Sequence, residues 1–153
     1  MSQNINKYFR YFLWLAIASL LVACESEKMK QTEFGLQQNR FLLSLELVES
    51  AGKSLQSPEL LQAEIDVAME QMDQGLKQAF EVNPEFLKRL DIRLPKLYSG
   101  MFITGIENYR LGVESSDREK QLEGLRLLAQ WSQFWSSEKQ NIQSKLIEHG
   151  QKE

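Results

Sequence analysis

From residue 33 to residue 150 the apolar side chains recur at steps of three and four, with no strand-like alternation. Only a helix gathers such spacing into one face, and that face has to be covered by another element. Phe34, Phe41, Leu45 and Val48, widened by Leu42, Leu43 and Leu47, predict a helix over Glu33 to Ala51, with Gly52 as its stop. Ser57-Pro58-Glu59 has the form of a helix start: a capping residue, proline at the first helical position and an acid in the first turn. Leu61, Ile65, Ala68, Met72, Leu76 and Ala79 then supply the second stripe.

Asn83-Pro84-Glu85 repeats the start signal ahead of Phe86, Leu87 and Leu90. Pro95 lies inside the pattern that follows, where it removes an amide donor and crowds the preceding turn, at about 3 kcal/mol in an unbroken helix. A third helix kinked or broken near Pro95 is therefore expected: a short piece to about Asp91, then a long one from Leu94 to Leu111 ended by Gly112. Ser116 and Glu119 have the spacing of a capping box. Leu122, Leu125, Leu128, Trp135, Ile142 and Leu146 carry a fourth helix to His149, with Gly150 past its end. Four amphipathic helices on short connections predict an all-α antiparallel four-helix bundle over residues 33–150.

Composition removes whole classes of chemistry. One Cys among 153 residues cannot build a disulfide framework or a cysteine zinc site, and one His cannot build a multi-histidine metal centre. No Glu-x-x-His pair, Gly-x-Ser-x-Gly elbow, phosphate-binding glycine loop or haem attachment sequence occurs, so no catalytic residue, cofactor or metal ligand is assigned. His149 stands near a helix end, where the dipole favours it without a ligand.

The first 24 residues carry an address. Lys7 and Arg10 precede a 13-residue apolar run from Tyr11 to Ala23, too short for the roughly 20 residues that span a bilayer. A basic start, an apolar core and a small residue before Cys24 are the proportions of a secretory signal peptide over residues 1–23. Leu21-Val22-Ala23-Cys24 resembles the lipobox of bacterial lipoproteins at all four positions. The resemblance implies a diacylglycerol on the Cys24 sulfur, cleavage before Cys24 and acylation of the new amino group. Glu25, in place of the aspartate of the best-known sorting rule, favours the outer membrane, with the domain on its periplasmic face. Residues 24–32, mostly polar after Cys24, suit a lipidated tether. Loss of Lys7 and Arg10 with the leader takes the formal charge from −3 to −5, which disfavours nucleic acid as a partner.

Two clusters stand out in the helical part. Lys88, Arg89, Arg93 and Lys96 place four positive charges around the Pro95 break of an acidic protein. Trp131, Phe134 and Trp135 place three large rings within five residues, more than one helix face readily hides. The expected function is a membrane-anchored adaptor that binds another envelope protein, with Trp131, Trp135, Phe102 and Tyr109 as anchors, Phe134 beside them and the four basic residues as steering charges. The competing reading is a binding module for a small apolar ligand between Phe34, Met72, Met101, Phe102 and Trp135. A weaker third is an enzyme using the acids Glu59, Glu64, Asp66, Glu70 and Asp73, which fall mostly off the apolar stripe.

Overall fold

The computed structural model describes residues 33–56, 59 and 61–152. The leader, Cys24, the tether and the Ser57-Pro58 start signal lie outside the described residues. Among the described residues there is no strand, and the chain is all-α. Its elements are α1 (residues 33–54), α2 (Gln62–Phe80), α3 (Pro84–Leu90), α4 (Leu94–Leu97), a π-helical segment (Tyr98–Ile103), α5 (Thr104–Glu114) and α6 (Arg118–Lys152).

The stripes that define these helices are the faces they bury. Phe34, Phe41, Leu45 and Val48 of α1, Ala68, Met72, Leu76 and Ala79 of α2, and Ile142 and Leu146 of α6 all enter one core. Rings form its spine: Phe34 meets Phe86 edge-on at 5.2 Å, Phe41 meets Tyr98 at 5.5 Å, and Tyr98 stacks on Phe102 at 5.0 Å. Phe34 also lies 6.1 Å from the His149 ring, and Phe41 lies 5.8 Å from Trp135. α1 and α6 therefore run in opposite directions along this spine.

Several helix ends differ from the sequence expectation, each for a local reason. α1 does not stop at Gly52, where an added Cβ would meet nothing within 4 Å, and it continues for another half turn. α2 opens at Gln62, where the Glu64 carboxylate accepts the Leu61 amide at 2.9 Å and caps the chain. Asn83 caps α3 as expected, its Oδ1 accepting the Glu85 amide at 2.8 Å. After Leu90 the chain leaves helical geometry at Asp91, whose carboxylate accepts the Arg93 amide at 2.8 Å. Pro95 then sits in the first turn of α4, where its missing N–H leaves no helical bond unmade.

Between α4 and α5 six residues adopt the wider π turn, which no feature of the apolar pattern announces. Gly112 does not end α5. The helix runs to Glu114, and a Cβ on Gly112 would come within 2.6 Å of the Gln121 amide nitrogen of α6. The turn to α6 closes on Ser116 at φ 56°, with the Asp117 amide bonded to Gly112 O at 2.8 Å and the Ser116 amide to Val113 O at 3.2 Å. This is the Schellman pattern with serine in the place glycine usually takes. Asp117, not Ser116, caps α6, accepting the Lys120 amide at 3.0 Å.

α6 has 35 residues, about 52 Å at 1.5 Å per residue, and continues past His149 to Lys152. Its first half departs from the expected stripe, since Leu122 and Leu125 are exposed. α5 is held there by glycines instead: a Cβ on Gly124 would lie 2.4 Å from the Tyr109 amide nitrogen, and one on Gly105 would lie 2.9 Å from Leu128.

Candidate functional site

α1 and α6 leave a groove between them, and the aromatic cluster of α6 forms its floor. The larger part, about 450 Å³, is lined by Leu45, Val48 and Gly52 on one side and by Leu128, Ser132 and Ser136 on the other. Phe102 and Trp131 lie beneath, and half-buried Trp135 opens onto it. A second hollow of about 400 Å³ shares Leu45, Glu49, Lys53, Trp135 and Lys139 with the first, and extends it toward Leu42 and Gln143. The two make one trough along the α1–α6 seam.

The rings in the floor are fixed from below. Tyr98 is fully buried and donates its O–H to Ser44 Oγ at 2.7 Å, while Ser44 donates to the Phe41 carbonyl at 2.7 Å. Burial pushes the Tyr98 phenol up from its ordinary value. Tyr98 and Phe102 both stand against Trp131, at 5.6 and 5.3 Å between ring centroids. Trp131 is 5% exposed and stacks on half-buried Trp135 at 6.1 Å. The π-helical segment thus carries Phe102 into the floor from behind.

At the rim, Glu49 pairs with Lys53 at 2.7 Å, and the hydrogen bond from Lys53 holds the Glu49 carboxyl below its usual range. Lys139, on the opposite wall, adds to that effect through its charge. Glu46 and Ser50 complete the α1 edge.

The expected anchors are therefore only partly brought together. Trp131, Trp135 and Phe102 share the groove, whereas half-buried Tyr109 packs its backbone on Gly124 and does not line it. Phe134 turns to the other side of α6, beneath the Arg93 guanidinium at 5.4 Å. Arg93 also holds the Asp91 carboxylate at 2.9 Å and Glu138 at 2.9 Å, tying the break after α3 to α6. The hydrogen bond from Arg93 keeps the Asp91 carboxyl below its ordinary value. Lys145 secures the same corner by donating to the Leu90 carbonyl at 2.7 Å, at the C-terminal end of α3 where the helix dipole favours a cation.

The four basic residues have different neighbours. Arg93 serves that clamp, Lys88 lies 3.8 Å from Glu85, and Lys96 is exposed on α4. Arg89 lines a separate hollow of about 340 Å³ with Phe34, Gln37, Asn83 and Phe86. The five residues expected around an apolar ligand are likewise dispersed: Phe102 and Trp135 line the groove, Phe34 lines that other hollow, and Met72 is buried in the core. Among the acids of α2, Glu64 caps the helix and Asp73 reaches Arg110 of α5 at 3.3 Å. Glu59, Asp66 and Glu70 are exposed. Among the described residues, no group of three or more His, Cys, Asp or Glu side chains is placed to hold a metal ion, and no helix is long and apolar enough to cross a membrane.

The α1 wall was not legible as part of a site, because Leu45 and Val48 read as core, and the Glu49–Lys53 pair has the spacing of any exposed i,i+4 pair. The available signal was the run Leu128, Ser132, Ser136 and Lys139, a stripe too polar for a core yet adjacent to two tryptophans. Comparison with protein-family models, curated proteins and solved structures finds no match to this chain.

Proposed function

We propose that this chain is an envelope lipoprotein that works by holding another envelope protein rather than by catalysis. Cys24 moors it through lipid to the outer membrane, on the periplasmic face, after removal of residues 1–23. A single acyl chain binds a bilayer only marginally, and the three that the lipobox implies give lasting attachment. The tether of nine residues reaches at most about 30 Å, at roughly 3.3–3.6 Å per residue, so the helical body works close to the surface. We read that body as an antiparallel four-helix bundle of α1, α2, the broken line from α3 to α5, and α6.

The observation that carries the adaptor reading is the groove between α1 and α6, where Trp135 and the Leu45 edge meet an open trough. An accessible indole beside buried apolar walls is the composition of a binding hot spot. A second reading, a carrier of a small apolar ligand, draws on the groove's volume of about 450 Å³, within the range of small-molecule sites.

Metabolic labelling with an alkyne-tagged fatty acid tests the anchor. Wild type takes up label and Cys24→Ala takes up none while keeping its thermal melt; equal labelling of the two overturns the lipid anchor. Native mass spectrometry of the purified protein separates the two binding readings, since a carrier holds lipid-like mass and an adaptor does not.

A further inference from the structure

The walls of the groove share one register. On α1 the lining residues are Leu45, Val48, Glu49, Gly52, Lys53 and, in the turn just after the helix, Gln56, at steps of three, one, three, one and three. On α6 they are Leu128, Trp131, Ser132, Trp135, Ser136 and Lys139, at the same steps. Residues at i, i+3, i+4 and i+7, such as Ser132, Trp135, Ser136 and Lys139, enclose the four-cornered hole that receives one side chain of a packed helix. Two helices presenting such holes toward one trough leave a third helical position open.

Resting on the adaptor reading, we infer that the groove receives an amphipathic α-helix of the partner protein, about four turns long, laid along the α1–α6 seam. The lining runs from Leu42 to Gln56 and from Leu128 to Gln143, about 21–22 Å at 1.5 Å per residue, which sets that length. Depth sorts the chemistry: Leu45, Val48 and Trp131 are buried in the floor, while Gln56, Ser132, Ser136 and Lys139 are exposed at the rim. An apolar stripe facing down with polar flanks matches that gradient. Charge sets the flanks, with acid toward Lys139 on the α6 edge and base toward Glu46 on the α1 edge. Gly52, Ser132 and Ser136 keep the walls low enough for close approach. Among the described residues a second copy of this chain offers no such helix, because the helical stripes lie largely in its own core and the exposed large apolar side chains are scattered over several elements, with only Leu122 and Leu125 a single turn apart on one helix.

Photo-crosslinking in cells tests this with the full chain, placing p-benzoylphenylalanine singly at Ser132, Ser136, Lys139 and, as a position outside the groove, Leu122. The crosslinked residue on the partner is then mapped by mass spectrometry. Moving from residue 132 to 139 advances about 10.5 Å along α6. A helical partner shifts its crosslinked residue by about seven positions, whereas an extended segment shifts by about three. An advance of about seven residues supports the inference. An advance of three, crosslinks into a second copy of this chain, or protein captured only at Leu122 overturns it and leaves the adaptor reading standing. Capture of lipid alone at the groove positions, or of nothing at all four, overturns both.

Discussion

Trp131 and Trp135 stand one turn apart on the same helix, yet their surroundings divide the work between them. Trp131 is packed by Tyr98, Phe102 and Phe134, while Trp135 is half-buried and opens onto the groove. Trp131→Ala is expected to cost about 3–5 kcal/mol of stability, in the range for large core truncations. Trp135→Ala is expected to cost about 1–2 kcal/mol, because part of its surface is already in water. Urea melts of the two variants check the order; equal losses would remove the distinction between floor and edge. Tyr98 offers a second reading at this scale. Its phenol stays protonated in the fold, whereas an unfolded tyrosine ionises near about pH 10. The sign follows: this contribution is fully present below about pH 10 and is lost as pH rises through the raised native value. An ultraviolet difference titration should show Tyr98 ionising only as the helical circular dichroism collapses. Tyr98→Phe should remove that coupling and cost about 1 kcal/mol, since Ser44 keeps its bond to Phe41 but loses the donor above it.

Each helix is set by where its neighbour lets it end or approach. α5 and α6 meet through Gly105, Gly112 and Gly124, and the space at Gly124 is filled by the backbone of Tyr109. Gly124→Ala gains helix propensity of about 1 kcal/mol but must part the helices. A net loss of about 1–3 kcal/mol is expected, of the size seen for overpacking. A thermal melt showing stabilisation would contradict the close crossing. The turn between them gives the opposite sign. Ser116 holds a left-handed conformation, costing a non-glycine residue roughly 1–2 kcal/mol. Ser116→Gly should therefore raise stability by about 0.5–1 kcal/mol, measured by denaturant unfolding. The apolar spacing placed these helices correctly but misjudged their glycines: Gly52 and Gly112 read as stops, although one faces open space within α1 and the other faces α6. A glycine that ends a helix and one that admits a neighbour look alike until the neighbour's position is known.

For the whole molecule, the corner after α3 is where a change of pH is felt. Asp91 is 9% exposed and joined to Arg93, which also holds Glu138 and covers Phe134. The Asp91 carboxyl is lowered, so its contribution is present above the ordinary carboxylate range and disappears as pH falls through the lower native value. The melting temperature should fall as pH drops below the ordinary aspartate value of about 3.9, and Asp91→Asn should flatten part of that fall while lowering stability at neutral pH. Identical slopes for the two proteins would remove the clamp from the account. Lys88, Arg89, Arg93 and Lys96 read as one patch in the sequence because they are close along the chain. In the fold Arg93 meets Glu138, 45 positions later, and only tertiary contact sets that pairing. The sequence by itself determined the all-α character and most of the buried stripes of α1, α2 and the second half of α6, because a period of three to four residues depends on local geometry alone. It also sufficed for the Asn83 cap, whose bond spans two residues. The tertiary structure decided which ring of the α6 cluster is floor and which is edge, that Leu122 and Leu125 stay uncovered, and that α1 and α6 enclose a groove. The groove depends on how α1 lies beside a helix some eighty residues away, a separation that no local spacing encodes.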